Sequence, residues 1–245
     1  MIKKVGNIIL LGTSHVARQS AKEIEEAIEN YSPQVIAIEL DMERLRNLMS
    51  KNQKEKSSFK RMNAIRKDIG LSGYIFAQIA AFVQSKIGKS LGIEPGVDMK
   101  TAYVKARDKK IPTALIDQDI RITLRKFSKL GFRRKISMFS SLFFKSFKKE
   151  YRERLSFDVK AGVPDEKVII EMLSIVKKEV PDLYRILIHE RNVFMAEKLL
   201  KLRENHEGNI LAVVGAGHLA GMVEYLEKNY KVPDKISYSF SVEVD

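Results

Sequence analysis

The feature that most constrains this chain is a pair of small-residue turns that each end in histidine, Gly12-Thr13-Ser14-His15 and Gly215-Ala216-Gly217-His218. Each follows an apolar run that reads as a buried strand, Ile8-Ile9-Leu10-Leu11 in the first case and Ile210-Leu211-Ala212-Val213-Val214 in the second. In an open α/β sheet the carboxyl ends of parallel strands are where ligands bind, so two such ends can place both imidazoles in one crevice. That arrangement suits a metal ion or an acid/base pair.

The first turn leads into a helix-like stretch from Ala17 to Asn30 with Ile24, Ala27 and Ile28 on one face, and then Pro33 introduces Val35-Ile36-Ala37-Ile38, which ends in Glu39. This is a βαβ unit of ordinary length, whose second strand should lie parallel to the first and deliver Glu39 near His15. A third strand, Thr113 to Ile116, ends in Asp117 and Asp119. Helical patterns fill the intervals: about 55–92, about 98–108, 121–160, about 165–180 and 182–205 with Pro181 at the junction, and 219–229 after the last strand (209–214). An edge strand is expected around 235–243. The reading is one α/β domain over residues 1–245, with a central, largely parallel or mixed sheet flanked by helices and with helical insertions at about 51–92 and 121–205.

The chain has no cysteine, which excludes disulfides, thiolate metal ligands and a cysteine nucleophile together. Met1-Ile2-Lys3-Lys4 runs straight into strand-like sequence, so no signal peptide is expected. The most apolar internal stretch, Leu71 to Val83, falls well short of the ~20 residues that a spanning helix needs. The net charge of +13 is concentrated: residues 51–68 carry +5 and residues 121–154 carry +10, leaving −2 for the remaining 193 residues. The second basic segment also contains Phe127, Phe132, Phe139, Phe143, Phe144 and Phe147. Phenylalanines at helical spacing are foremost packing residues; contact with an anionic membrane surface or a partner comes next, and nucleic acid is the least favoured partner.

Neutral imidazole and carboxylate suit manganese, zinc, cobalt or iron, and His15, Glu39 and His218 make a His₂Glu set with room for a water. Such a metal lowers the pKa of bound water and polarises a carbonyl or phosphoryl oxygen, so hydrolysis is the reaction class this chemistry favours. Gly12, Gly215 and Gly217 let a ligand approach the backbone and its N–H groups. Arg44, five residues after Glu39, is placed to bind a substrate carboxylate or hold Glu39. The plainer alternative is that each turn is a tight βα connection whose histidine bonds locally. Gly215 to Gly221 is one residue too long for a dinucleotide fingerprint, and no Walker A, GxSxG or HExxH motif is present.

Six short motifs occur in order: Gly12-Thr13-Ser14-His15-Val16; Ile38-Glu39-Leu40-Asp41 with Arg44; Pro95-Gly96-Val97-Asp98-Met99; Asp119-Ile120 with Thr123-Leu124-Arg125; Glu190-Arg191-Asn192 with Met195; and Val214-Gly215-Ala216-Gly217-His218. Together they resemble the TraB/PrgY family, named for bacterial pheromone shutdown, and more distantly the TIKI proteases and the GumN group. The resemblance covers residues 12 to 218 and implies an α/β core with helical insertions and a metal-dependent hydrolase site. It implies His15, Glu39 and His218 as metal ligands or catalytic groups, with Arg44, Glu190 and Arg191 as supporting polar residues. In that scheme Arg44 or Arg191 steadies an oxyanion, and Glu190 or Glu39 shuttles a proton.

Two positions depart from the family pattern, which usually has glutamate at Asp98 and arginine at Gln118. The expected substrate is a peptide or other small molecule; the alternative function is a non-enzymatic module that captures a peptide signal. The expected location is the cytoplasm, with a form peripheral to the membrane as the variant. Oligomeric state is left open, a homodimer included.

Overall fold

An apolar run with no polar alternation is satisfied only when both faces of its strand are covered. The computed structural model, which describes residues 1–13, 17–49, 96–131, 133–134 and 166–230, places the three longest runs in that position. Strands β2 (Ile8–Thr13), β3 (Val35–Ile38) and β5 (Ile210–Gly215) are buried along their whole length. With β1 (Ile2–Val5) and β4 (Thr113–Leu115) they form a five-stranded sheet of order β1-β2-β5-β3-β4. All pairings are parallel except β1 with β2, so the sheet is mixed.

Side chains leave each strand alternately toward two helical layers. Leu10, Ala37, Ala212 and Val214 meet Met195 and Leu199 of α7 (Glu190–Glu204) and Leu219 and Met222 of α8 (Ala216–Asn229). Leu11, Ile38, Leu211 and Val213 meet Ile24 and Ile28 of α1 (Ala17–Tyr31) and Met99 and Ala102 of α3 (Val97–Asp108). Each fully buried leucine or isoleucine contributes roughly 1.5–3 kcal/mol, so these two layers hold the sheet. The remaining described helices are α2 (Met42–Met49), α4 (Ile120–Ser128), α5 (Glu166–Glu179) and α6 (Pro181–Tyr184). Phe127 packs with Leu124, Leu130, Val180 and Ile186 in a smaller cluster, a core role rather than a surface one.

The strand that comes last in the described chain lies between β2 and β3. Gly12 therefore pairs with Val214 and Thr13 with Gly215, so the two glycine turns start side by side. Ile38 of β3 pairs with Val213 on the other side of β5, which puts Glu39 at the same edge. Gly12 is close-packed beneath α8: a Cβ there would lie 3.0 Å from Leu219 Cδ2 and 3.4 Å from Ala216 Cα.

Three details differ from the sequence expectations. Residues 2–5 form a short antiparallel edge strand, where the exposed Lys3 and Lys4 hide its pattern and protect the edge. The helix after β5 begins at Ala216, so His218 lies in its first turn. The helix expected at 182–205 is interrupted by a π-helical turn at Arg185–His189. Such a turn adds a residue to the repeat, and here Ile186 faces the small cluster while Met195 and Leu199 face the sheet. The expected helix at 55–92, most of the 121–160 segment and the edge strand at 235–243 lie outside the described residues.

Candidate functional site

Glu39 follows directly after β3 and is buried at the carboxyl edge of the sheet. Its Oε2 accepts from the Gly215 N–H at 2.7 Å, which ties the end of β3 to the start of α8. Its Oε1 accepts from Arg191 Nη2 at 2.5 Å and stands 3.3 Å from His218 Nε2. Burial alone would push this carboxyl up. His218, Arg191 and the Gly215 N–H outweigh that and hold it well below the usual carboxylate range.

His218 is buried, and its other ring nitrogen, Nδ1, lies 2.6 Å from Asn192 Oδ1. An amide oxygen only accepts, so Nδ1 carries a proton and Nε2 is the atom presented to Glu39. Nε2 and the carboxylate oxygen stand 3.3 Å apart, a separation that a hydrogen bond or a shared metal ion can span. Two donors on a tetrahedral ion with bonds of about 2.0–2.1 Å are separated by about 3.3 Å, so this pair fits one edge of such a site. The bond to Asn192 is the kind of outer contact that orients metal-binding imidazoles. Among the described residues no group of three His, Asp or Glu is arranged to hold a metal, and His15 lies outside them.

Asn192 reaches His218 because α7 and α8 approach closely at a glycine. A Cβ on Gly221 would lie 2.2 Å from Asn192 Nδ2. Neither Asn192 nor Gly221 stood out in the sequence as a site residue. The available signal was Asn192 following Arg191 in one short motif.

Arg191 occupies the first turn of α7, directly after the π-helical turn. Its Nη2 donates to Glu39 and to Asp117 Oδ2 (2.7 Å), its Nε to Asp117 Oδ1 (3.1 Å), and its Nη1 to the Leu187 carbonyl (3.3 Å). Burial opposes its charge, but Glu39 and Asp117 more than offset that, so the guanidinium stays protonated. Arg44 closes the network from α2, with Nη1 2.8 Å from Asp117 Oδ2. Asp117 is thus the hub joining Arg44 to Arg191, a role that its position after an apolar run only hinted at. Glu190 spends its carboxylate on Lys126 (2.7 Å) and Arg185 (2.6 Å).

Two further buried acids stand at this edge. Asp98 accepts from the Thr13 hydroxyl and from the Met99 N–H at 2.9 Å, so the shorter side chain at this position is bonded to the end of β2. Asp41 caps α2 by accepting from the Arg44 N–H at 2.8 Å. Gln118, where arginine is usual in the resembling family, is buried and donates to Thr123 Oγ1 at 3.1 Å.

Comparison with known proteins gives a consistent picture. The model of the TraB/PrgY/gumN family matches residues 1–233. An uncharacterized protein of Methanocaldococcus jannaschii is 36% identical over 91% of this chain and 54% of its own length. TraB domain-containing proteins of Mus musculus and Homo sapiens are each 25% identical, over 91% of this chain and 62% of theirs. The chain thus spans little more than half the length of these curated relatives. Among the described residues no helix is long and apolar enough to cross a membrane.

Proposed function

The chain belongs to the TraB/PrgY/gumN family, and from that premise we propose that it is a metal-dependent hydrolase acting on peptides, with His218, Glu39 and His15 as metal ligands. The observation that carries this reading is the pair formed by His218 Nε2 and Glu39 Oε1, 3.3 Å apart and each fixed from behind. Manganese, zinc, cobalt or iron suits the nitrogen and oxygen donors, and when bound it supplies an activated water and polarises the scissile carbonyl.

The protein's own groups divide the remaining work. Asn192 sets the tautomer and direction of His218, and the Gly215 N–H with Arg191 holds Glu39. A carboxyl held so low is a weak proton acceptor, which suits Glu39 to holding positive charge rather than moving protons. Arg191, bonded to two carboxylates and a carbonyl, acts as a positioning residue. The first-turn N–H groups of α8 have no partner inside the helix. Gly217 leaves space beside them, since the nearest atom to an added Cβ is Leu173 Cδ1 at 3.9 Å. That opening suits these N–H groups to a developing oxyanion.

Elemental analysis of the purified chain beside His15→Ala, His218→Ala and Glu39→Gln tests the proposal. The expected result is near-stoichiometric metal in the parent and loss in each variant, with metal-dependent release of peptide products. Peptide retention without metal or products would instead identify a binding module. We place the protein in the cytoplasm, with peripheral attachment to anionic membranes through residues 121–154, a reading supported by their charge of +10. Co-sedimentation with anionic liposomes that falls steeply with salt is the expected behaviour; absence of binding at low salt would remove the attachment.

A further inference from the structure

Asp41 is 8% exposed, and its two carboxylate oxygens have different fates. Oδ1 accepts from the Arg44 N–H at 2.8 Å, which fixes the side chain as the cap of α2. Oδ2 is buried and has no hydrogen-bond partner, the one such side-chain atom among the described residues. The cations around it are committed elsewhere. The Arg44 guanidinium bonds Asp117, and Lys198 donates to the Leu115 carbonyl at 3.1 Å. Lys198 lies near enough to feel the charges of Asp117 and Asp41, which offset part of the effect of its own burial. A locked, buried acceptor without a donor is costly, more so when charged, and therefore marks a place for a partner from outside the fold.

We propose that Asp41 is a specificity residue, that its Oδ2 receives the α-ammonium of the substrate, and that the site accordingly takes peptides with an unblocked amino terminus. The identity of the ligand rests on the peptide-hydrolase reading above; the free oxygen does not. An ammonium brings the missing donor and adds to the positive charge of Lys198, whereas a water or hydroxyl brings only the donor. Asp41 lies just beneath the surface, since the next residue, Met42, is 56% exposed and the Arg44 side chain is 38% exposed. Glu39 and Asp41 are two positions apart, their Cα atoms at most about 7 Å from each other. In this proposal a peptide held by its amino group at Asp41 presents one of its first peptide bonds to Glu39 and His218.

The test is retention of a random tetrapeptide library, half of it N-acetylated, by the full chain in ultrafiltration with mass-spectrometric readout. Asp41→Asn keeps an oxygen for the helix cap, and Asp41→Ser is a second capping variant should the first fold poorly. The parent should enrich free amino termini at least tenfold over acetylated ones, and the variants less than twofold. Equal retention of both forms, or retention of neither, overturns the proposal. Product release is read in the same samples: enrichment without products removes the hydrolase reading alone, and products without enrichment remove the amine site alone.

Discussion

At the amino ends of the parallel strands Asn7 clamps the approach to β5, donating from its amide to the carbonyls of His206 (3.1 Å) and Gly208 (2.9 Å). Tyr230 bonds both the N–H and the side chain of Asn7, and Asn209 donates to the Tyr31 carbonyl at 2.7 Å. At the carboxyl ends, Glu39, Asp117, Arg44 and Arg191 bond one another through charged side chains. The first edge joins neutral side chains largely to backbone, which fixes loops and tolerates pH and salt. The second joins buried charge to buried charge, an arrangement that secures little net stability yet positions groups capable of chemistry. One sheet thus shows, at its two ends, the difference between polar groups used for folding and polar groups used for a site.

Removing one charge should separate the two edges most clearly. Arg191→Ala leaves Glu39 and Asp117 buried without their shared partner and is expected to cost about 3–5 kcal/mol in urea denaturation. Asn7→Ala removes neutral bonds only and should cost about 1–3 kcal/mol. If the two losses were equal, the proposed contrast would fail. Acid titration sharpens it. Glu39 is held below its unfolded value of about 4.3, so on acidification the unfolded chain takes the proton first. Its contribution is complete above that value and is lost as pH falls through the lower folded value. In chelator-treated protein, Glu39→Gln should therefore flatten the fall in stability below about pH 4, whereas Asn7→Ala should keep the parent's slope.

The smallest effect on stability is expected from Gly221→Ala, because the amide end of Asn192 can swing away from the added methyl. The cost should be about 1 kcal/mol, the low end for a buried donor left without its partner, with the clearest consequence visible at His218. Its ring proton signals should shift in NMR spectra while those of His206, bonded to the Leu202 carbonyl at the other edge, stay in place. An unchanged His218 signal would show that Asn192 does not orient the imidazole.

Much of this architecture was legible in the sequence because burial on both faces leaves unbroken apolar runs. Residues 35–38, 113–115 and 210–215 declare themselves as strands, and the polar residue that follows two of these runs declares the site edge. β1 was not legible, since only Val5 of its four residues is buried. The π-helical turn has no signature in composition; it shifts the register between Ile186, which packs in the small cluster, and Met195 and Leu199, which pack on the sheet. Of the residues marked as the site, Glu39, His218, Arg191 and Arg44 come together, while Glu190 pairs with Lys126 and Arg185. The sequence marks Asp117 only as an acid at a strand end and Asn192 only as part of a motif; their roles emerged in three dimensions, because nothing local marks a partner 74 or 26 positions away.

The central place of β5 also sets an order in time. During synthesis β2 and β3 leave the ribosome well over a hundred residues before the strand that joins them, and until it arrives each presents an open edge to its surroundings. His218 and Gly215, which Glu39 needs, come with that same segment. A nascent chain therefore holds no assembled site until its last described strand has been inserted, and an interrupted one carries Glu39 without the groups that give it a use.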